Sequence, residues 1–459
     1  MPEGFSLESR TKIIGVILVA VVIILPSYYV LKPNDESDRT VTGPPGLWFD
    51  GNGNTHIEGD ANGTTYHGNV NQLSTARLFA GQVNEITLAS TGAVVLIIPD
   101  EAIILHPESP IHQYQNTSFF PLEKDATFRL MISPTVQNII LEFYGQGSAN
   151  FTIMIEPSED PLISGSDIYD LLEQVTDDAD GYNARYVSEG SPQLERGALY
   201  FESLFESYGL EAEVQRYWSG NILIINVVAI KWGLDRETFI GVGGHMDVAT
   251  STHQGAYDDT SGTVHTLLLA KALADIETKN TYFFGLWSAE EEGIWGSGEF
   301  VNNFEDNYPG ATIRSYVNLD MVGINYPGTN SDTGEYYPLH GYVGGKRDGG
   351  VEAAPGLEAI VNDTAHDFLG YPNSTGLQLG YSSFGSSDHV PFQRAGVPTV
   401  FFIGIIYEYS EYHTRDDTLS TMREYMGGRE GLEAGFEVTA WMTLGILLEL
   451  DHQLVEVST

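Results

Sequence analysis

From residue 158 onward the apolar positions follow two alternating rhythms. SDIYDLLEQV and GALYFESLFESYGL space their large side chains three and four apart, the period of a helix with one buried stripe. After them come short, nearly continuous apolar runs: NILIINVVAI, TFIGVGG, TYFFGLWSA, SYVNLDMV and PTVFFIGI. A strand buried on both faces needs such a run. Helix alternating with strand predicts an α/β fold, a mostly parallel or mixed sheet with helices on both faces. The final amphipathic stretch, 427–455, is expected to pack on that sheet, and NSDTGEYYPLHGYVGGKRDGG to form a surface loop. Residues 46–157 have a different texture. NEITLAS, AVVLIIP, TFRLMIS, NIILEFYG and NFTIMIEP are rich in β-formers and broken by Gly, Pro, Asn and Ser, which predicts a small all-β, sandwich-like domain.

A third pattern lies at the start. Residues 13–31, IIGVILVAVVIILPSYYVL, carry no charge and are roughly long enough to span a bilayer as a helix. Tyr28 and Tyr29 sit where an aromatic belt would lie, and no small-x-small cleavage site follows. An uncleaved N-terminal anchor is therefore expected, after a short tail (1–12) and before a polar, Pro-rich tether (32–45). Arg10 and Lys12 on one side are matched by Lys32 and Arg39 on the other, so basic residues alone do not orient it. Sequons at Asn62, Asn116, Asn150, Asn362 and Asn373 favour an extracellular body at the cell membrane.

Charge narrows the function. The 459 residues hold 63 acidic against 21 basic side chains, a formal charge of −42, which excludes nucleic acid as a natural partner. There is no cysteine, so disulfides, thiolate metal sites and thiol nucleophiles are excluded.

The polar residues that interrupt the sheet pattern are the candidate chemistry. His245 and Asp247 follow TFIGVGG, Glu290 and Glu291 follow TYFFGLWSA, Asp320 ends SYVNLD, and His413 lies beyond PTVFFIGI. Open α/β sheets build their sites at the carboxyl ends of strands. Asp258 precedes the helical TVHTLLLAKALADI. Carboxylates and imidazoles without thiolate suit a pair of divalent cations, with zinc, manganese or cobalt all acceptable to these ligands. With Asp258 as a bridge, one ion takes His245 and Asp320 and the other Glu291 and His413, leaving a shared position for a bridging water or hydroxide. Glu290 is then free as general base. Asp247 is placed to accept the second imidazole N–H of His245. Gly243 and Gly244 would let the backbone approach the ions.

HMD, GAYDDTSG, AEEEGIWGS, NLDMVG, SSDHVPF and YHTRDDTLS resemble, in order and spacing, the motifs of the M28 family of di-zinc peptidases, over about residues 170–455. The resemblance implies a catalytic domain within 158–459 that binds two Zn2+ through His245, Asp258, Glu291, Asp320 and His413. It makes Glu290 the base and peptides the substrates. Two positions depart from the family pattern: Asp259 stands where Asn is common, and Phe384 where some members carry a tyrosine that polarises the substrate carbonyl. Tyr381 and Tyr412 are candidate substitutes. His389 and Asp388 are expected to support the site or the fold rather than to ligate. An aminopeptidase is expected, because the acidic floor suits a free α-amino group. The alternatives are a carboxypeptidase, a glutaminyl cyclase-like member, or a surface adhesion protein whose β-rich domain carries the main role.

Overall fold

The computed structural model describes the strands lying between 57 and 157 as backbone, then residues 162–179, 181–187, 192–276, 278–324, 339–345, 354–365, 377–380 and 387–452. The tail (1–12), the anchor (13–31) and the tether (32–45) lie outside the described residues.

Strands β1 (Ile57–Asp60) to β11 (Asn150–Pro157) form one six-stranded and one five-stranded sheet. Their pairings are antiparallel. The five β-rich runs fall in β4 (Val83–Ser90), β5 (Val94–Ile98), β9 (Ala126–Ile132), β10 (Ile140–Gly145) and β11.

Downstream lies an eight-stranded mixed sheet. Its strands in chain order are β12 (Glu211–Ser219), β13 (Ile222–Lys231), β14 (Asp235–His245), β15 (Asn280–Trp287), β16 (Thr312–Leu319), β17 (Leu339–Gly344), β18 (Leu377–Gly380) and β19 (Thr399–Ile403). They lie side by side as β12-β13-β15-β14-β16-β19-β17-β18. The central strands β15, β14, β16 and β19 run parallel. That shared direction brings four carboxyl ends to one edge.

Helices cover both faces because successive strand residues point opposite ways. Phe284 faces α1 (Gly165–Thr176), α2 (Pro192–Ser207), α3 (Ser261–Ala274) and α8 (Arg429–His452), in a core with Phe201, Leu267, Phe436 and Leu447. Its neighbour Phe283 joins Trp287, Tyr316, Phe300 on α4 (Trp295–Asn307) and Phe392 on α6 (His389–Arg394). Tyr316 and Phe392 stack at 3.9 Å. Each such ring contributes roughly 1.5–3 kcal/mol by leaving water. Two short helices, α5 (Pro355–Asp363) and α7 (Leu419–Tyr425), complete the described set.

The structure corrects one expectation and bears out another. LHGYVG, expected in a surface loop, is strand β17, antiparallel to β19. Leu339, Gly341 and Val343 are buried in alternation while glycines disguise the pattern. The final helix packs on the sheet as expected. Among the described residues it is the helix long and apolar enough to cross a membrane, yet 67% of its apolar window is buried. Leu432, Phe436, Leu444 and Leu447 lie within the sheet's own core.

Candidate metal centre

His245 is the last residue of β14 and Asp320 the first beyond β16, and the two strands pair in parallel with Gly243 opposite Asn318. Asp258 sits in a tight π-type turn, Ala256–Thr260, that opens α3; its peptide bond to Asp259 is cis. Glu290 and Glu291 lie in a turn after β15, closed by Gly293 and Ile294 N–H donating to the Glu290 carbonyl. His413 is on the loop after β19, in a left-handed backbone conformation (φ 54°).

These five residues converge. Asp258 lies between two imidazoles, with Oδ1 3.2 Å from His245 Nε2 and Oδ2 3.1 Å from His413 Nε2. Asp320 Oδ1 is 3.7 Å from the same His245 nitrogen, and Glu291 Oε2 is 3.0 Å from the same His413 nitrogen. Burial pulls the pKa of His245 down, yet Asp247, Asp258 and Asp320 raise it well above the ordinary value. Asp258 and Glu291 lift His413 to about 10. Asp258 itself falls to about 2 despite its burial, because both imidazoles face it. The cluster stabilises positive charge wherever it is offered.

The donors fit a divalent cation. Glu291 Oε1 is buried without a hydrogen-bond donor, and so is Asp258 Oδ2 despite its close approach to the His413 ring. An orphaned buried carboxylate oxygen is costly unless a cation occupies its lone pairs. His245, Asp258 and Glu291 offer ligand atoms within 4.8 Å of one another. The grouping of His245 and Asp320 with Asp259 is a weaker candidate, because the Asp259 oxygens are already engaged. Oδ2 accepts from His245 N–H, and Oδ1 from Gly262 and Met321 N–H. A Cβ on Gly244 would meet Asp259 Oδ2 at 2.6 Å and Leu319 O at 2.4 Å. That glycine therefore makes room for this clamp, and Gly243 for the Gly285 carbonyl, rather than for an ion.

The supporting contacts refine the role expected of Asp247. His245 Nδ1 meets the Asp247 backbone carbonyl at 3.1 Å, while the nearer side-chain oxygen is 3.7 Å away. The Asp247 carboxylate turns instead to Glu290 and Glu291 N–H (3.3 and 3.4 Å), because those residues occupy a turn whose amides point inward. A buried relay backs Asp320. Trp287 Nε1–H donates to Tyr316 OH (2.8 Å), which donates to Asn318 Oδ1 (3.0 Å). Asn318 Nδ2 then donates to Ser387 Oγ (2.8 Å), which donates to Asp320 Oδ2 (2.7 Å). Asp417 accepts from Tyr257 N–H, Asp258 N–H and Tyr409 OH, fixing the π-type turn.

Ser387 and Asp417 escaped the sequence reading, although both lie inside motifs singled out there. Arg185 escaped it too. Asp388 takes the Ser297 hydroxyl at 2.5 Å, and His389 stacks on Phe401. Tyr412 is 42% exposed, and its ring stacks at 3.8 Å on that of His413. Tyr381 and Phe384 lie outside the described residues.

Imidazoles and carboxylates gathered at the carboxyl edge of a parallel strand set, beneath helices on both faces, give this part of the chain the architecture of an α/β metallohydrolase. Residues 226–426 match the sequence model of Peptidase family M28. A leucine aminopeptidase 1 of Fusarium vanettenii is 30% identical over 239 residues, covering 49% of this chain and 55% of the relative. The leupeptin-inactivating enzyme 1 of Streptomyces exfoliatus is 27% identical over 215 residues, covering 46% and 42%. The chain thus spans about half the length of these curated relatives. The zinc aminopeptidase BSAP of Bacillus subtilis shares the fold, with a TM-score of 0.51 at 16% identity, over 64% of this chain and 96% of that one.

Proposed function

We propose that the chain is a membrane-anchored, outward-facing aminopeptidase that acts on peptides with two zinc ions. Its anchor would be residues 13–31, its β-rich domain 46–157 and its catalytic domain 158–459. One observation carries the catalytic reading: the two oxygens of Asp258 divide between two imidazoles, 3.2 and 3.1 Å away. One ion would be held by His245, Asp320 and Asp258, the other by Glu291, His413 and Asp258. Bound there, the cations supply Lewis acidity towards a scissile carbonyl and lower the pKa of water.

The protein's own groups do the remaining work. Glu290 takes a proton from the attacking water and passes it to the departing amine. Burial raises its pKa well above the ordinary carboxylate range, and Asp320, Asp388 and Glu291 reinforce the shift against His245. Asp247 holds the Glu290–Glu291 turn by accepting both amides. Tyr412, half-exposed beside His413, offers a phenol to the substrate carbonyl.

The amino terminus of the substrate is the end that suits this site. Acidic side chains line it, and the buried cation behind it, Arg185, is unavailable to a substrate carboxylate. Its donors go to Met246 O, Tyr182 O and Thr260 Oγ1. Amino-acid anilides and N-blocked peptides test the reading in a chelator-sensitive assay. Anilide hydrolysis lost with chelator and regained with zinc is expected, with blocked peptides untouched. Equal cleavage of blocked peptides, or indifference to chelator, would contradict it.

A further inference from the structure

We infer that Arg185 is the positioning residue that sets the spacing of His245 against Asp258, by tying together the two chain segments that carry them. The inference rests on the metal reading above. Arg185 is fully buried between α1 and α2, far in sequence from either ligand. Its Nε donates to the carbonyl of Met246, the residue after His245, at 2.5 Å. Its Nη2 donates at 2.5 Å to the hydroxyl of Thr260, two residues past Asp258. Nη1 donates to Tyr182 O at 2.5 Å, and the Arg185 carbonyl accepts from Val248 N–H at 3.2 Å. One planar guanidinium thus spans the end of β14 and the π-type turn, and its fork geometry fixes the distance between them. A lysine carries the charge but not the fork.

The surroundings are built for this residue. Gly197 on α2 leaves space for the stem, since a Cβ there would come within 2.8 Å of Arg185 Cδ. Burial lowers the guanidinium to about 10, opposed by the carboxylates of Asp247 and Asp259, so it stays charged at neutral pH. Those two carboxylates are the ones occupied with backbone amides around the site rather than with ligand positions. Arg185 therefore balances the supporting carboxylates while Asp258, Glu291 and Asp320 remain for the ions.

A merely structural arginine would stabilise the fold and leave metal affinity alone. The two roles separate in four full-length chains: wild type, Arg185→Lys, Thr260→Val, and a control, Leu269→Ala, which empties a core position on α3. Each is stripped of metal, melted, and titrated with zinc against a chromophoric chelator. Arg185→Lys is expected to bind zinc about 10- to 100-fold more weakly, the range usual for loss of a support outside the ligands themselves. Thr260→Val, which cuts one arm, should lose several-fold. Leu269→Ala should melt lower with unchanged affinity. Wild-type affinity in Arg185→Lys would overturn the inference. Should that variant fail to fold, wild-type affinity in Thr260→Val would overturn it instead. A wild-type chain that takes up no zinc removes the metal reading and this inference together, whereas normal wild-type uptake with unchanged variants removes this inference alone.

Discussion

The two halves of the proposed centre are built from the same ligand types but on different supports. His245 and Asp320 sit at the ends of neighbouring parallel strands and are almost fully buried. One is held through its backbone N–H by Asp259, the other through a hydrogen-bond relay that reaches back to Trp287. Glu291 and His413 come from a turn and a loop. The His413 side chain is 37% exposed, and its φ of 54° is a conformation that side chains larger than glycine rarely adopt. The serine at this end, Ser251, reaches the His413 carbonyl, not its ring. Buried, strand-borne supports thus lie on one side of Asp258 and more exposed, loop-borne ones on the other, an arrangement that would let the proposed ion at His245 and Asp320 be held more tightly than the one at Glu291 and His413.

The largest expected effect lies in neither half. Glu290→Gln should reduce kcat by about 10²- to 10⁴-fold, the usual share of a general base, with zinc content unchanged. Lost zinc would mean that Glu290 belongs to one of the two supports. Next comes a buried histidine outside both. His265 on α3 donates to Ser261 O at 2.8 Å, and burial lowers its pKa to about 4. An unfolded histidine titrates near about 6.5. The unfolded chain therefore binds more protons between these values, so stability is full above pH 6.5 and declines as pH falls to 4. The loss is about 3 kcal/mol, measurable by urea unfolding, and His265→Gln should remove that component. The same decline in the variant would show that other groups cause it.

A smaller effect separates the halves directly. Ser387→Ala removes the last link to Asp320 and should weaken one ion by about 10- to 100-fold while leaving the other unchanged. Chelator titration of the wild type should release zinc in two steps, the ion at Glu291 and His413 first. Simultaneous release would erase the distinction. Tyr412→Phe is expected to cost only about 10-fold in kcat, the worth of one hydrogen bond, with zinc uptake intact.

Among the candidate ligands, His245, Glu291 and Asp320 stand out in the sequence because they interrupt an apolar strand pattern at or just beyond its carboxyl end, where chemistry is the simplest reason for a polar side chain. Their supports do not. Arg185, Ser387 and Asp417 act on partners 61 to 160 residues away, and nothing local marks such a contact. For Asp247 the sequence suggests a side-chain contact to the His245 ring, whereas its backbone carbonyl meets that ring and its carboxylate accepts from Glu290 and Glu291 N–H, because period-two alternation says nothing about a carboxylate that reaches into a later turn. Strand β12 also went unread. It is an edge strand with charged residues along it, and its mostly exposed or half-exposed pattern lacks the apolar run that announced β13 to β16.

Zinc-loaded crystals of the chain, with anomalous differences recorded at the zinc edge, test the centre most directly. Two peaks are expected about 3.5–4 Å apart on either side of Asp258, one against His245 and Asp320 and one against Glu291 and His413. A single peak, or peaks remote from Asp258, would contradict it.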